Sequence, residues 1–268
     1  MVRVTTTDRR AVLRAGAGIV ASGVLTTGCA TGGAAAPPAA PASRTSTPAP
    51  ASRTPTPHTP APAPAPLLRY PAQILHGPRD RPRVALTFHG NGDPATAHAL
   101  LSAAEKHGSR VTVFAVGTWL DAQPGLARRV LDGGHELGNH TLRHLDINAM
   151  PEADADAEIR GCAERLKALT GSIGTWFRPS RAALASPLVE RLARRAGYPH
   201  VLSYDVDSLD FTSPGAPAVV RNVMADVRAG SIVSLHFGYA DTVAALPGLL
   251  HELDRRGLRA VTTTELLS

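Results

Sequence analysis

The sequence predicts an α/β fold in which about seven parallel strands alternate with helices, closed as a barrel or opened as a doubly wound sheet. Short β-branched runs alternate with helical periodicity throughout residues 67–268. Several helical stretches open on proline at the first helical position, as in Asp93-Pro94 and Ser186-Pro187, where a missing amide hydrogen costs nothing. A strand–helix–strand order of this kind requires parallel pairing with right-handed crossovers.

The chain begins outside that pattern. Arg9-Arg10 precede a Gly/Ala-rich apolar run from 11 to 25, and Gly28-Cys29 follows. Residues 1–28 therefore read as an export signal of the twin-arginine kind with a lipoprotein-like end. The run is too short and too rich in small residues to span a membrane stably. Cys29 either takes a lipid, which anchors the chain on the outer face of the cytoplasmic membrane, or the signal is cleaved to give a secreted protein. Residues 29–66 read as a Pro/Ala/Thr-rich tether: 31–66 alone hold eleven of the 23 prolines and too few large apolar groups to offset the entropy of ordering. Residues 1–66 carry six arginines and one acid, so +5 of the net +6 lies there and +1 in the remaining 202 residues. A basic pI thus says little about the folded part; a nucleic-acid role loses its main compositional support, and no nucleic-acid partner is expected. With Cys29 in the signal, Cys162 is the body's single cysteine, read as a small buried helical residue. A monomer is expected.

Within the body, strands are predicted at 84–88, 111–116, 135–138, 175–178, 200–205, 231–236 and 258–262. Helices are predicted at 94–107, 124–132, 151–169, 187–196, 216–228 and 241–256. In a barrel the site forms at the C-terminal ends of the strands. His89 ends the first strand, His140 and His144 follow the third, and Arg178 ends the fourth. Asp205, Asp207 and Asp210 follow the fifth, and His236 ends the sixth. The pair His140 and His144, four apart, has the spacing that puts two imidazoles on one side of a helical turn, within reach of one divalent cation. No glycine-rich phosphate loop opens a helix, which argues against nucleotide chemistry.

The ordered motifs Val84-Ala85-Leu86-Thr87-Phe88, His140-Thr141-Leu142-Arg143-His144, Phe177-Arg178-Pro179, Asp207-Ser208-Leu209-Asp210-Phe211 and Ser231-Ile232-Val233-Ser234-Leu235-His236 resemble those of the polysaccharide deacetylases with NodB homology, carbohydrate esterase family 4. The resemblance implies a distorted parallel (β/α) barrel over 67–268. It also implies a divalent metal, zinc first with cobalt, nickel or manganese as alternatives, that activates water to remove acetyl groups from an N-acetylated or O-acetylated envelope polysaccharide.

The first motif departs from the family pattern. Where Asp-Asp-Gly follows Thr-Phe, a general base and then a metal ligand, this chain has His89, Gly90 and Asn91. The missing carboxylate is expected from Asp93, unless Asp93 only caps the helix that follows. On this reading His140, His144 and either Asp93 or His89 hold the metal, and the other of that last pair takes the water's proton. His236 protonates the leaving amine with Asp207 holding its tautomer, and Arg178 orients the base. Arg181, through its backbone amide, Phe211 and Leu235 are expected to meet substrate. The alternative reading is a carbohydrate-binding surface protein on a barrel that has lost catalysis.

Overall fold

The computed structural model describes residues 70–268; the expected signal, Cys29 and the tether lie outside the described residues. Eight strands occur: β1 (Gln73–Ile74), β2 (Arg83–Gly90), β3 (Thr112–Ala115), β4 (Glu136–Asn139), β5 (Val201–Leu202), β6 (Val206–Asp207), β7 (Ile232–His236) and β8 (Arg259–Val261). Eight α-helices accompany them: α1 (Pro94–Lys106), α2 (Gly117–Ala122), α3 (Gly125–Asp132), α4 (Glu152–Thr170), α5 (Pro187–Arg195), α6 (Ala216–Asp226), α7 (Ala240–Arg255) and α8 (Thr263–Leu267). Every ladder is parallel, as the crossover pattern requires.

The sheet runs β4-β3-β2-β7-β6, with β8 also on β2. β2 is long enough to take β8 along Arg83–Ala85 and β3 along Thr87–Gly90. From β4 the path continues through single bridges, Asn139 to Phe177 and Phe177 to Val201, and β5 pairs β1. The ladders bend into a distorted barrel whose ring is thin on that side. The strand expected at 175–178 is reduced to the bridging Phe177, and the one expected at 200–205 shortens to β5, with β6 following just beyond it. Between β5 and β6 the Arg178 side chain takes the carbonyls of Leu202 and Ser203, at 3.1 and 2.9 Å, which draws backbone acceptors away from a ladder.

Alternation along β2 sorts the core. Val84, Leu86 and Phe88 face the helices and pack with Leu100 and Leu101 of α1 and Leu249 and Leu253 of α7. Each such large apolar side chain contributes about 1.5–3 kcal/mol on burial. Ala85 faces inward, with Phe114, Trp176, Leu202, Ile232 and Val261, and α8 lays Leu266 and Leu267 against them. Thr87 and His89 continue this inward face towards the C-terminal rim. The helix α8 opens on a capping box, Thr262 with Glu265, a legible signal that five residues of periodicity do not carry. Among the described residues no helix is long and apolar enough to cross a membrane.

Candidate metal centre and active site

β2 runs two residues past the expected end at Phe88, so His89 stands inside the ladder, in register with Phe114 of β3 and His236 of β7. The loop after β4 brings His140 and His144 to the same place. It is not a helical turn: Thr141 and His144 have φ of 68° and 58°, in the left-handed region. Asn139 organises it, its carboxamide oxygen accepting from the Thr141 amide at 2.9 Å while its nitrogen donates to Ile159 and Tyr198. Glu158, buried on α4, takes both the amide and the guanidinium of Arg143, at 2.8 and 2.6 Å. Leu142 fills the space left by Gly117 and Gly161, where a Cβ would lie 2.8 and 2.9 Å from its side chain.

One ring nitrogen each from His89, His140 and His144 lies within 4.8 Å of the others. The His140 Nδ1 hydrogen goes to the Arg178 carbonyl at 3.0 Å, which leaves the lone pair on Nε2. That Nε2 is buried and has no hydrogen-bond partner. An orphaned buried acceptor normally costs about 1–3 kcal/mol, so its persistence here points to a cation as the missing partner. Burial holds the pKa of His89 and His140 well below the ordinary histidine value, reinforced by neighbouring imidazoles and Arg178. Burial, then Arg181 and His236, lowers that of His144. Three neutral imidazoles are what a divalent metal needs.

Beside them, the ring of His236 lies 4.3 Å from that of His89. Its Nδ1 is 2.6 Å from Asp210, not Asp207. Asp207 ends β6 and spends its carboxylate on the Leu209 amide, whereas a 3-10 turn at Asp210–Thr212 returns Asp210 beneath His236. Asp210 is fully buried and also accepts from the His236 amide at 2.8 Å and the Thr242 hydroxyl at 2.6 Å. Phe211, 45 % exposed, and Tyr239 set their rings edge-on to His236 at 5.7 and 5.8 Å. Tyr239 was not anticipated, although it follows a strand end as the other rim residues do.

Arg178 is fully buried, with Nη1 2.8 Å from Thr87 Oγ1 and 3.4 Å from His89 Nε2, and its guanidinium 4.3 Å from the centre of the Phe114 ring. It lies beneath the cluster. Arg181 stands exposed with φ of 55°, near enough to His144 to weigh on its titration. Besides that of Asp207, two expected roles need correction. Leu235 is 1 % exposed and packs with the helices, because alternation along β7 turns it away from His236, so it has no access to substrate. Asp93 is exposed, accepts from the Ala95 amide at 2.7 Å as the N-cap of α1, and is not among the clustered donors.

The polysaccharide deacetylase family profile matches residues 76–201. A peptidoglycan-N-acetylglucosamine deacetylase of Bacillus cereus is 32% identical over 194 residues, 71% of this chain and 90% of that protein. The chain belongs to the polysaccharide deacetylase family. Another family relative, a chitooligosaccharide deacetylase of Bradyrhizobium, is 29% identical over 197 residues, 65% of this chain and 85% of that one. Among solved family structures, a family 4 carbohydrate esterase from Streptomyces lividans in complex with acetate is 26% identical, with a TM-score of 0.63, covering 67% of this chain and 92% of that one. A CE4 family pseudoenzyme from Bacillus anthracis shares the fold at 24% identity and a TM-score of 0.70, over 74% of this chain and 70% of that one. The family deacetylase barrel is therefore the frame in which the histidine cluster sits.

Proposed function

We propose that this chain is a metal-dependent hydrolase that removes acetyl groups from N-acetylated, or O-acetylated, polysaccharide of the cell envelope. The observation that carries the reading is the buried, partnerless His140 Nε2 facing two more neutral imidazoles, with an Asp210–His236 pair alongside. The relatives whose names specify peptidoglycan N-acetylglucosamine and chitooligosaccharides support an acetamido sugar as substrate. Residues 1–28 would export the chain, with Cys29 lipidated or the signal cleaved, and 29–66 would tether a monomeric domain of 67–268 to the envelope.

His89, His140 and His144 would hold the cation, zinc first. When bound, such an ion polarises a carbonyl and lowers the pKa of water towards about 7. The remaining chemistry falls to the chain's own groups. Asp93 caps α1, so no carboxylate replaces the family's base, and His236 is the nearest proton acceptor. With Nδ1–H on Asp210, its Nε2 takes the proton of the attacking water. The same proton then passes from Nε2 to the leaving nitrogen as the C–N bond breaks, giving acetate and a free amine. Asp210 keeps the tautomer and stabilises the transient imidazolium, as a buried carboxylate does in other His–Asp pairs. Arg178, pinned by Thr87, Leu202 and Ser203, fixes the floor under His89. Phe211 and Tyr239 would flank the sugar ring.

The second reading, a surface binder without turnover, is favoured by one observation: no carboxylate stands among the three clustered donors. Incubating the zinc-loaded chain with N-acetylglucosamine oligomers and with peptidoglycan, and measuring acetate with and without chelator, separates the two. Acetate release that the chelator abolishes supports the hydrolase; retention of glycan with no acetate supports the binder.

A further inference from the structure

We infer that the first-motif change has converted this centre into an all-imidazole cation site that selects nitrogen-preferring metals and can no longer be completed by a carboxylate at position 90. The inference rests on the proposed metal-dependent reading and deepens it. His89 points inward on β2, beside Thr87, and places a ring nitrogen within 4.8 Å of the His140 and His144 donors. Arg178 does not need that nitrogen: its shorter hydrogen bonds go to Thr87, Leu202 and Ser203, at 2.8, 3.1 and 2.9 Å, against 3.4 Å to His89. A metal at His89 would therefore compete at Nε2 only with the longest of the hydrogen bonds that the guanidinium makes.

Position 90 is closed by packing rather than merely lacking a side chain. Gly90 is still in the ladder and alternation turns it outward, where a Cβ would lie 2.9 Å from Val113 Cγ1, 3.1 Å from Ala115 Cα and 3.2 Å from Trp119 Cζ3. Trp119 is fixed there, because its indole N–H donates to the Gly92 carbonyl at 2.9 Å and its ring lies against Phe237. Gly92 in turn, at φ of +133°, packs on Gly238 so closely that a Cβ would meet its Cα at 2.7 Å. An aspartate at 90 would have to push Val113 aside and press on the Ala115 backbone and the Trp119 indole, on the face turned away from the cluster. Nor does Asp93 come in from further along, being held as a helix cap.

Three neutral nitrogens make a sound zinc, cobalt, nickel or copper set, whereas manganese and magnesium favour carboxylate and water oxygen. A buried guanidinium beneath the cluster, with no carboxylate salt bridge among the described residues, further disfavours a site that depends on hard, purely electrostatic binding.

The test is equilibrium dialysis of the full chain against zinc and against manganese, with electron paramagnetic resonance of the copper-loaded form and no substrate present. The expected result is one zinc per chain, no manganese retained at concentrations that saturate zinc, and a copper spectrum split by three nitrogens. His89→Ala should weaken zinc by at least about 100-fold, the upper end of what losing an outer-shell partner costs. His89→Asp should admit manganese. Gly90→Asp should lower the melting temperature and add no affinity. Manganese bound as tightly as zinc, zinc unaffected in a folded His89→Ala, or Gly90→Asp gaining manganese at an unchanged melting temperature would each overturn the inference. A wild type that holds zinc on three nitrogens yet releases no acetate leaves this inference standing and defeats the hydrolase reading instead.

Discussion

His236 gives its Nδ1 hydrogen to Asp210 at 2.6 Å, and the same carboxylate takes the His236 amide and the Thr242 hydroxyl. Every lone pair that matters is committed, so the ring has one orientation and one tautomer. Asp210→Asn can offer an N–H to Nδ1 and move the proton to Nε2. Turnover should then fall about 10²–10⁴-fold with bound zinc unchanged. Asp207→Asn, which can still accept from Leu209, should stay within a few-fold of wild type. Turnover and zinc content of the two variants check this; equal losses would return the tautomer role to Asp207. The sequence offered both acids, three apart, after one strand. It did not show which one turns back, because the choice depends on left-handed backbone at Leu209 and Ser213, where no glycine marks the turn. His89, His140, His144, Arg178 and His236 were legible individually as strand-end residues; that the His89 ring would join the cluster while Asp93 did not depended on β2 continuing two residues past Phe88 and on a helix cap.

The element scale shows why the site holds its shape. Most strand and helix positions follow from periodicity, since apolar patterns record which face is buried. The elements that escaped, β1, α2 and α8, are two, six and five residues long, too short to show a period. The 140–144 loop was read as a helical turn because i, i+4 spacing is shared by many conformations. It is shaped instead by packing of Leu142 on two glycines. Gly117→Ala would set a Cβ 2.8 Å from Leu142 Cδ1 and 3.2 Å from its Cα, so the loop backbone itself must shift. The expected cost is about 1–3 kcal/mol, together with weaker zinc binding, read by thermal unfolding and dialysis. At the barrel's other end, Glu136 joins α8 to the strands through Trp176, Thr112 and Thr264. Burial raises its pKa above 4.5, the hydrogen bonds opposing that shift. A carboxylate raised on folding stabilises fully below its unfolded pKa and loses that contribution as pH rises through the folded value. The melting temperature of wild type relative to Glu136→Gln should therefore fall as pH is raised from 4.5 towards neutrality; a wild type that rises relative to the variant would contradict it.

Across the whole molecule the charge is segregated: +5 in residues 1–66 and +1 in the rest. If residues 29–66 form the tether that their composition predicts, the chain from residue 67 should unfold in one cooperative thermal transition at the wild-type temperature. A transition shifted down by several degrees would place part of the fold before residue 67. On the proposed reading, this barrel rim hydrolyses acetylated sugar through three histidines and one His–Asp pair. Its most direct test is acetate release from N-acetylglucosamine oligomers by wild type and His236→Ala, each brought to the same zinc content. The expected result is steady release by wild type and a loss of at least about 10²-fold in the variant. No release from fully zinc-loaded wild type, or equal release from both, would contradict the account.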